Sequence, residues 1–152
     1  MKIILTYGTF DLFHIGHLNM LKRLRALGDK LIVGVSTDEF NALKGKQSIF
    51  SYEERKAIVE SNRFVDLVIP ERDWQQKEQD IVRYEVDIFA IGEDWQGKFD
   101  HLNHLCEVRY LERTENISTT KIKESLKGVD KEKVEEMKAI LDDLVLVVKA
   151  MS

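Results

Sequence analysis

The sequence predicts an α/β protein with a Rossmann-like, doubly wound parallel sheet of about five strands and an extra C-terminal helix. The predicted strands are continuous apolar runs rather than alternating ones, which is typical of strands buried on both faces. Helical patterns lie between consecutive strands, and glycines or the only proline follow several of them. A sheet of this kind has right-handed crossovers and helices on both faces.

Strands and helices alternate along the first half of the chain. The first helix has leucines at helical spacing, and the second begins with Ser51 and Glu54 in capping-box spacing. Pro70 ends the third strand. The predicted elements are, in order, a strand over 2–8, a helix over 17–28, a strand over 30–37, a helix over 51–62 and a strand over 65–70.

The second half continues the alternation and ends in a helical tail. It contains a helix over 74–85, a strand over 86–92, a short helix over 97–105, a strand over 107–113 and a helix over 118–128 that stops at Gly128. Apolar residues of the tail recur at steps of three and four, the spacing of a coiled-coil seam. We therefore expect a domain over 1–128 and a helical extension over 129–152. Asp130 is expected to be the N-cap residue of the helix in this extension.

Composition and charge restrict the classes of function. The formal charge of -4 argues against nonspecific nucleic-acid binding, which depends on a basic face. No apolar run approaches the roughly 20 residues of a membrane span, so membrane insertion is not expected. The stretch MKIILTYGTFD does not resemble a signal peptide, which predicts a cytoplasmic protein. Cys106, the single cysteine, is expected to be a packed thiol.

Polar residues follow several predicted strands, and the first such segment is GTFDLFHIGH. Ligands of open α/β sheets bind at the carboxyl ends of the strands, where the strand order reverses. Gly8 permits close approach of a ligand to the backbone. His14 and His17 are three residues apart near a helix start, where imidazoles and free amides can bind phosphate. Taken alone, the histidine pair is equally compatible with a polar helix end.

The segment RTENISTT contains a second potential anion site. Arg113 offers a planar donor to phosphate, while Ser118, Thr119 and Thr120 place hydroxyls and amides at another helix start. An ordinary helix cap is the alternative. A single such segment could be an ordinary helix cap, but two potential anion sites at the same sheet edge are harder to explain in this way.

Together these motifs resemble the cytidylyltransferases of the HIGH-motif nucleotidyltransferases. HIGH lies at 14–17 and RTENISTT at 113–120, and the resemblance covers nearly all of 1–128. STDEFN, SYEERK, RFVDLVIPE and GEDWQGKFD are similar to the glycerol-3-phosphate cytidylyltransferase family in particular. Choline-phosphate and ethanolamine-phosphate cytidylyltransferases share the two signature motifs but not the DWxGKFD pattern.

The resemblance implies transfer of a cytidylyl group from CTP to glycerol 3-phosphate, in a homodimer that makes CDP-glycerol for teichoic acids or related polymers. It implies catalytic roles for His14, His17, Lys44, Lys46 and Arg113. It implies that CTP is bound by Gly8, Thr9, Phe10, His14, His17, Lys46, Asp94, Arg113, Thr114, Ser118, Thr119 and Thr120. It implies that the acceptor is bound by Lys44, Arg55, Trp74 and Lys77. Mg²⁺ would enter chiefly with CTP, without a metal site built by the protein alone.

Two alternatives remain open: a cytidylyltransferase for another phosphorylated alcohol, and a nucleotide-binding regulator without turnover. Asn116 stands where the family pattern has glycine, which puts nucleotide affinity in question. Asp11, Asp38, Asp66 and Asp94 also match the family, and one or more of them could orient donors or assist the Mg²⁺ that enters with CTP. A second HxxH pair, His101 and His104, is expected to be solvated rather than to bind metal.

Overall fold

The predicted fold class is confirmed by a computed structural model, which describes residues 1–113 and 118–151, without the side chains of 127–131. Five parallel strands form one sheet in the order β3-β2-β1-β4-β5. They are β1 (Ile3–Gly8), β2 (Lys30–Ser36), β3 (Leu67–Glu71), β4 (Ile88–Gly92) and β5 (Glu107–Leu111). The strand order reverses between β1 and β4, so the crevice expected to hold ligands lies at the carboxyl ends of these two strands.

In the described part of the chain, four α-helices lie between consecutive strands, and a fifth follows the last strand. They are α1 (Ile15–Ala26), α2 (Asp38–Leu43), α3 (Tyr52–Glu60), α4 (Gln76–Arg83) and α5 (Thr119–Met151). The described residues divide into two compact units, Met1–Asn116 and Ile117–Ser152. The first unit holds the sheet with α1 to α4, and the second contains α5.

Adjacent residues of β1 face opposite sides of the sheet and enter two separate cores. Ile4 packs in one core with Leu21 and Leu24 of α1 and with Val59 of α3. Leu5 packs in the other core, which contains Ile69, Ile81 of α4, and Phe89. Because both sheet faces are covered, every strand residue between them must be apolar or hydrogen-bonded, which explains the continuous apolar runs.

Three elements differ from the prediction. Helix α2 was not predicted; Thr37 caps it by accepting a hydrogen bond from the Phe40 amide at 3.1 Å. The short helix expected over 97–105 is confirmed only in part, as a single 3₁₀ turn at Asp100–Leu102, and a second 3₁₀ helix, Glu93–Trp95, precedes it. The helix end at Gly128 is wrong, since α5 continues through this position over 33 residues.

Gly34 of β2 leaves room for the ring of Tyr7 on the neighbouring strand, where the two residues are in register. A Cβ atom at Gly34 would lie 2.2 Å from Cδ1 and 2.5 Å from Cε1 of that ring. No real Cβ contact is so short, so the side chain or the strand would have to move. The tyrosine ring thus packs directly against the backbone of β2 at Gly34.

We predict that Gly34→Ala destabilises the fold by about 1–3 kcal/mol, the usual cost of overpacking a core. Gly92→Ala is the matched control, since no atom lies within 4 Å of its added Cβ and its φ is -61°. The control should change stability by less than about 0.5 kcal/mol. Urea unfolding followed by circular dichroism measures both values, and equal stability of the two variants would contradict this account of Gly34.

Candidate active site

The turn after β1 has an unusual backbone that one buried carboxylate holds in place. Phe10 and Leu12 have positive φ angles of 55° and 49°, which are rare for bulky residues. Asp11 between them is 3% exposed, and its carboxylate accepts hydrogen bonds from the amides of Ile49 and Phe50 at 2.8 and 2.9 Å. The strained turn is thus fastened to the segment that precedes α3.

His14 and His17 form a reciprocal cap at the start of α1. His14 Nδ1 accepts a hydrogen bond from the Gly16 amide at 3.0 Å, and His17 Nδ1 accepts one from the His14 amide at 3.2 Å. A neutral imidazole that accepts at Nδ1 carries its proton at Nε2. Both rings therefore present an Nε2–H donor, and the caps fix this tautomer.

The two rings also stay neutral near pH 7. They stack with their centroids 3.9 Å apart and their planes 21° from parallel. Burial is the main cause that lowers the pKa of His17 to about 4, and the nearby His14 contributes in the same direction, whereas Asp11 acts in the opposite direction. Burial also lowers the pKa of His14. The pair consequently offers neutral hydrogen-bond donors to an anion rather than two positive charges.

A cavity of about 130 Å³ opens at the carboxyl edge of the sheet. Its lining combines three lysines with aromatic rings, one carboxylate and the end of β1: Tyr7, Gly8, Thr9, Lys44, Lys46, Glu71, Trp74, Lys77, Ile91, Trp95 and Phe99. Small-molecule sites that hold drug-sized ligands are typically about 300–1,000 Å³. This cavity fits a ligand of a few carbon atoms but not a whole nucleotide.

Lys44 and Lys46 follow the end of helix α2. Lys44 is the C-cap residue, and Gly45 follows with φ of 71°, a conformation that favours glycine. The Lys44 ammonium lies 4.4 Å from the centre of the Phe40 ring and 5.7 Å from that of Trp74. Burial is the main cause that lowers the pKa of Lys44. Both lysines line the cavity.

Arg55 lies apart from the other residues predicted to bind the acceptor. Its side chain is fully buried at the start of α3 and does not line the cavity. The guanidinium donates to the carbonyl oxygens of Phe50, Thr9 and Ser36 at 3.0, 2.9 and 2.7 Å, and to Asp38 Oδ1 at 2.8 Å. The predicted contact with the acceptor therefore finds no support in this geometry, which gives Arg55 a positioning role.

Arg113 and Asp94, both predicted to bind CTP, are brought together after β5 and β4. Arg113 Nη1 lies 3.2 Å from Asp94 Oδ2, and both side chains are about half exposed. In the second unit, the Ser118 hydroxyl accepts a hydrogen bond from the Lys121 amide at 3.1 Å. Thr119 and Thr120 are the first residues of α5. The predictions for Thr114 and Asn116 lie outside the described residues.

The sequence interpretation missed Glu71 and Tyr7, which both line the cavity. Glu71 ends β3 and is 4% exposed, and its Oε2 lies 2.8 Å from Lys77 Nζ. The Tyr7 hydroxyl donates to Asp80 Oδ2 at 2.5 Å, and burial raises the pKa of this phenol. A polar residue at the end of an apolar strand was the available signal in both cases.

Carboxylates do not gather into a metal site in the part of the chain described here. No group of three or more His, Cys, Asp or Glu side chains that could hold a metal ion occurs within 1–113 and 118–151. Asp66 precedes β3 at the opposite, amino-terminal edge, where it accepts from the Leu31 amide at 2.8 Å and pairs with Arg25. It cannot orient groups in the cavity.

Comparison with known proteins identifies the family of this chain. A family model described as cytidylyltransferase-like matches residues 5–125. Glycerol-3-phosphate cytidylyltransferase of Staphylococcus aureus is 58% identical over 130 residues, which are 86% of this chain and 98% of that protein. The chain belongs to the glycerol-3-phosphate cytidylyltransferase family. The enzyme of the same name from Bacillus subtilis is 57% identical over 85% of this chain and its own full length.

A solved structure supports the same family fold. The lipopolysaccharide core biosynthesis protein of Thermoplasma volcanium has a TM-score of 0.64 and is 25% identical, with 76% of this chain and 99% of that chain covered. The cytidylyltransferase-like model ends at residue 125, within α5. Most of this long helix thus lies beyond the part that the family model matches.

The histidine cap predicts a specific loss of stability in acid. The unfolded His17 binds a proton below its ordinary pKa of about 6.5, whereas the folded side chain binds one only near pH 4. Between these values the unfolded state holds more protons, so the free energy of unfolding falls as the pH falls, by up to about 3 kcal/mol from this residue.

His17→Gln should remove this contribution, because glutamine can accept the same capping hydrogen bond and does not titrate. Urea unfolding at pH 7.0 and 4.5 measures the effect, and the stability of the wild type should fall by more than that of the variant. An identical pH dependence of the two proteins would contradict the lowered pKa of His17.

Proposed function

We propose that this protein transfers the cytidylyl group of CTP to sn-glycerol 3-phosphate and releases CDP-glycerol and pyrophosphate. The observation that carries the proposal is the juxtaposition at one sheet edge of neutral histidine donors with a small cavity lined by three lysines. The identity to named glycerol-3-phosphate cytidylyltransferases supports the choice of both substrates.

The reaction needs positioning and charge stabilisation rather than a general base. A phosphate oxygen of glycerol 3-phosphate is already an anion, and it forms a bond to the α-phosphorus of CTP. The bond from this phosphorus to the oxygen bridging to the β-phosphate breaks, and pyrophosphate leaves with the electron pair. His14 and His17 donate from Nε2 to phosphate oxygens on which negative charge increases, and Lys44 and Lys46 neutralise the reacting phosphates.

The cavity supplies the acceptor site in this proposal. Its volume of about 130 Å³ suits a three-carbon phosphate ester. Lys44 and Lys77 at its wall favour an anion, and Trp74 provides an apolar surface for the carbon chain. Gly8 and Thr9 line this cavity, and Phe10 follows them in the turn that leads to the two histidines. CTP is therefore proposed to bind over the turn after β1.

Magnesium is proposed to arrive with CTP. Both carboxylate oxygens of Asp11 accept hydrogen bonds from backbone amides, and Asp94 forms an ion pair with Arg113. These partners leave the described carboxylates at the edge poorly suited to form a metal site of their own. Mg²⁺ usually keeps waters and binds substrate phosphates, where it would offset their negative charge.

The cellular setting is likewise a proposal. CTP is available in the cytoplasm, where we place the enzyme, and its CDP-glycerol would feed the synthesis of teichoic acid or a related glycerol-phosphate polymer. Within the described residues, no helix has the length and apolar character required to cross a membrane.

Replacement of either histidine by alanine should lower turnover by about 10²–10³-fold, the scale for one donor that stabilises a transition state. Pyrophosphate release with CTP, glycerol 3-phosphate and Mg²⁺ is the measurement. His104→Ala is the matched control, because this histidine is exposed outside the cavity and should be replaceable without effect on the rate. Near-wild-type rates in His14→Ala and His17→Ala would exclude the mechanism. A wild-type protein that releases no pyrophosphate would favour the alternative of a nucleotide-binding regulator without turnover.

We further propose a homodimer whose contacts include a second copy of α5. Val134, Met137, Leu141, Leu144, Val148 and Met151 repeat at heptad spacing, and they are between 55% and 83% exposed. The pattern is symmetric: in an antiparallel pair Val134 would oppose Met151, and Leu141 would oppose Leu144 of the other copy. Acidic residues outnumber lysines over 132–151, which disfavours an anionic membrane as the partner.

A charge placed in this seam should weaken self-association. Leu141→Lys puts a cation among the apolar residues of the proposed contact, whereas Ala139→Lys places the same cation on the outer side of the helix as a matched control. Light scattering over a range of protein concentrations should show a smaller average mass for Leu141→Lys alone. Equal masses of the two variants would show that α5 does not contribute to association.

A further inference from the structure

The Lys77 ammonium occupies a cage of aromatic rings at the wall of the cavity. Its Nζ lies 4.6 Å from the ring centre of Tyr7, 5.1 Å from that of Trp74 and 5.4 Å from that of Phe99. The Glu71 carboxylate completes the cage at 2.8 Å. Lys77 is only 3% exposed, so its charge is held almost entirely by these four neighbours.

The three rings of the cage make further contacts, and the ring centres of Phe99 and Phe89 lie 5.4 Å apart. The Tyr7 hydroxyl is bound to Asp80, and its ring lies against Gly34. Trp74 contacts Trp95 with ring centres 5.9 Å apart. An ammonium that left the cage would therefore leave behind a preformed site rather than a collapsed one.

Aromatic rings with a carboxylate are the arrangement by which proteins bind the ammonium groups of ligands such as choline. Here an internal cation fills that arrangement. A ligand with its own ammonium group would be repelled by the positive charges of Lys44, Lys46 and Lys77 in the cavity. Glu71, the carboxylate that lines the cavity among the described residues, is already paired with Lys77. A hydroxyl group would carry no such repulsion and could accept a hydrogen bond from a lysine.

We propose that Lys77 determines acceptor specificity by occupying the ammonium site, so that the cavity rejects amino-alcohol phosphates and admits uncharged polyol phosphates. This inference rests on the proposed function, since it takes the cavity to be the acceptor site. Glu71 acts through Lys77 and is a positioning residue. The role differs from simple binding of the acceptor phosphate, which would affect all phosphorylated acceptors alike.

The test is the ratio of kcat/KM for glycerol 3-phosphate to that for phosphoethanolamine, each with CTP and Mg²⁺. Lys77→Ala empties the cage and leaves the carboxylate and the rings, so the ratio should fall at least about tenfold, the effect of one lost charge contact. Lys77→Arg keeps a cation in the cage and should keep the ratio near that of the wild type. Lys56→Met, on the outer side of α3, is the surface control.

A buried carboxylate without a partner can prevent folding, so a double variant accompanies the single one. Glu71→Gln together with Lys77→Ala leaves no buried charge alone, and it should also lower the ratio. An unchanged ratio in whichever of these variants folds, judged by circular dichroism, would overturn the inference. A wild type that uses phosphoethanolamine as well as glycerol 3-phosphate would overturn it too. Loss of wild-type activity with glycerol 3-phosphate would instead refute the proposed function.

Discussion

The carboxyl edge of the sheet depends on the buried guanidinium of Arg55. Three backbone carbonyls and one carboxylate surround it, and they come from the turn after β1, the end of β2, the start of α2 and the segment that precedes α3. A guanidinium has several donors in a fixed plane, so it can join four segments at once. The Ser36 carbonyl is buried, and the loss of this donor would cost about 1–3 kcal/mol, whereas the Asp38 carboxylate is about half exposed.

Asp11 complements this cation from the other side of the same loops. Its oxygens bind the amides of Ile49 and Phe50, while Arg55 binds the Phe50 carbonyl. The two charged residues thus secure the segment that follows Lys44 and Lys46 to the turn that leads into α1. The lysines and the histidines are set in a common frame, although they lie far apart in sequence.

The charges of the site are opposite in sign to the charge of the whole protein. The chain carries a formal charge of -4, yet three lysines and one carboxylate line the cavity. The histidines add donors without adding charge, because burial keeps their pKa values low. An anionic substrate would thus be attracted by a local site and not by the net charge of the chain.

The strands, most helices and the sheet edge proposed to bind ligands could be predicted from the sequence, because apolar periodicity and capping residues are local properties. The prediction failed at Gly128, since one glycine costs a helix only about 1 kcal/mol, which the rest of a 33-residue helix can offset. Tertiary structure decided the rest: Arg55 is enclosed instead of facing the cavity, and Lys77 pairs with a carboxylate among rings. Desolvation and pairing depend on side chains from distant segments, which a local pattern does not reveal.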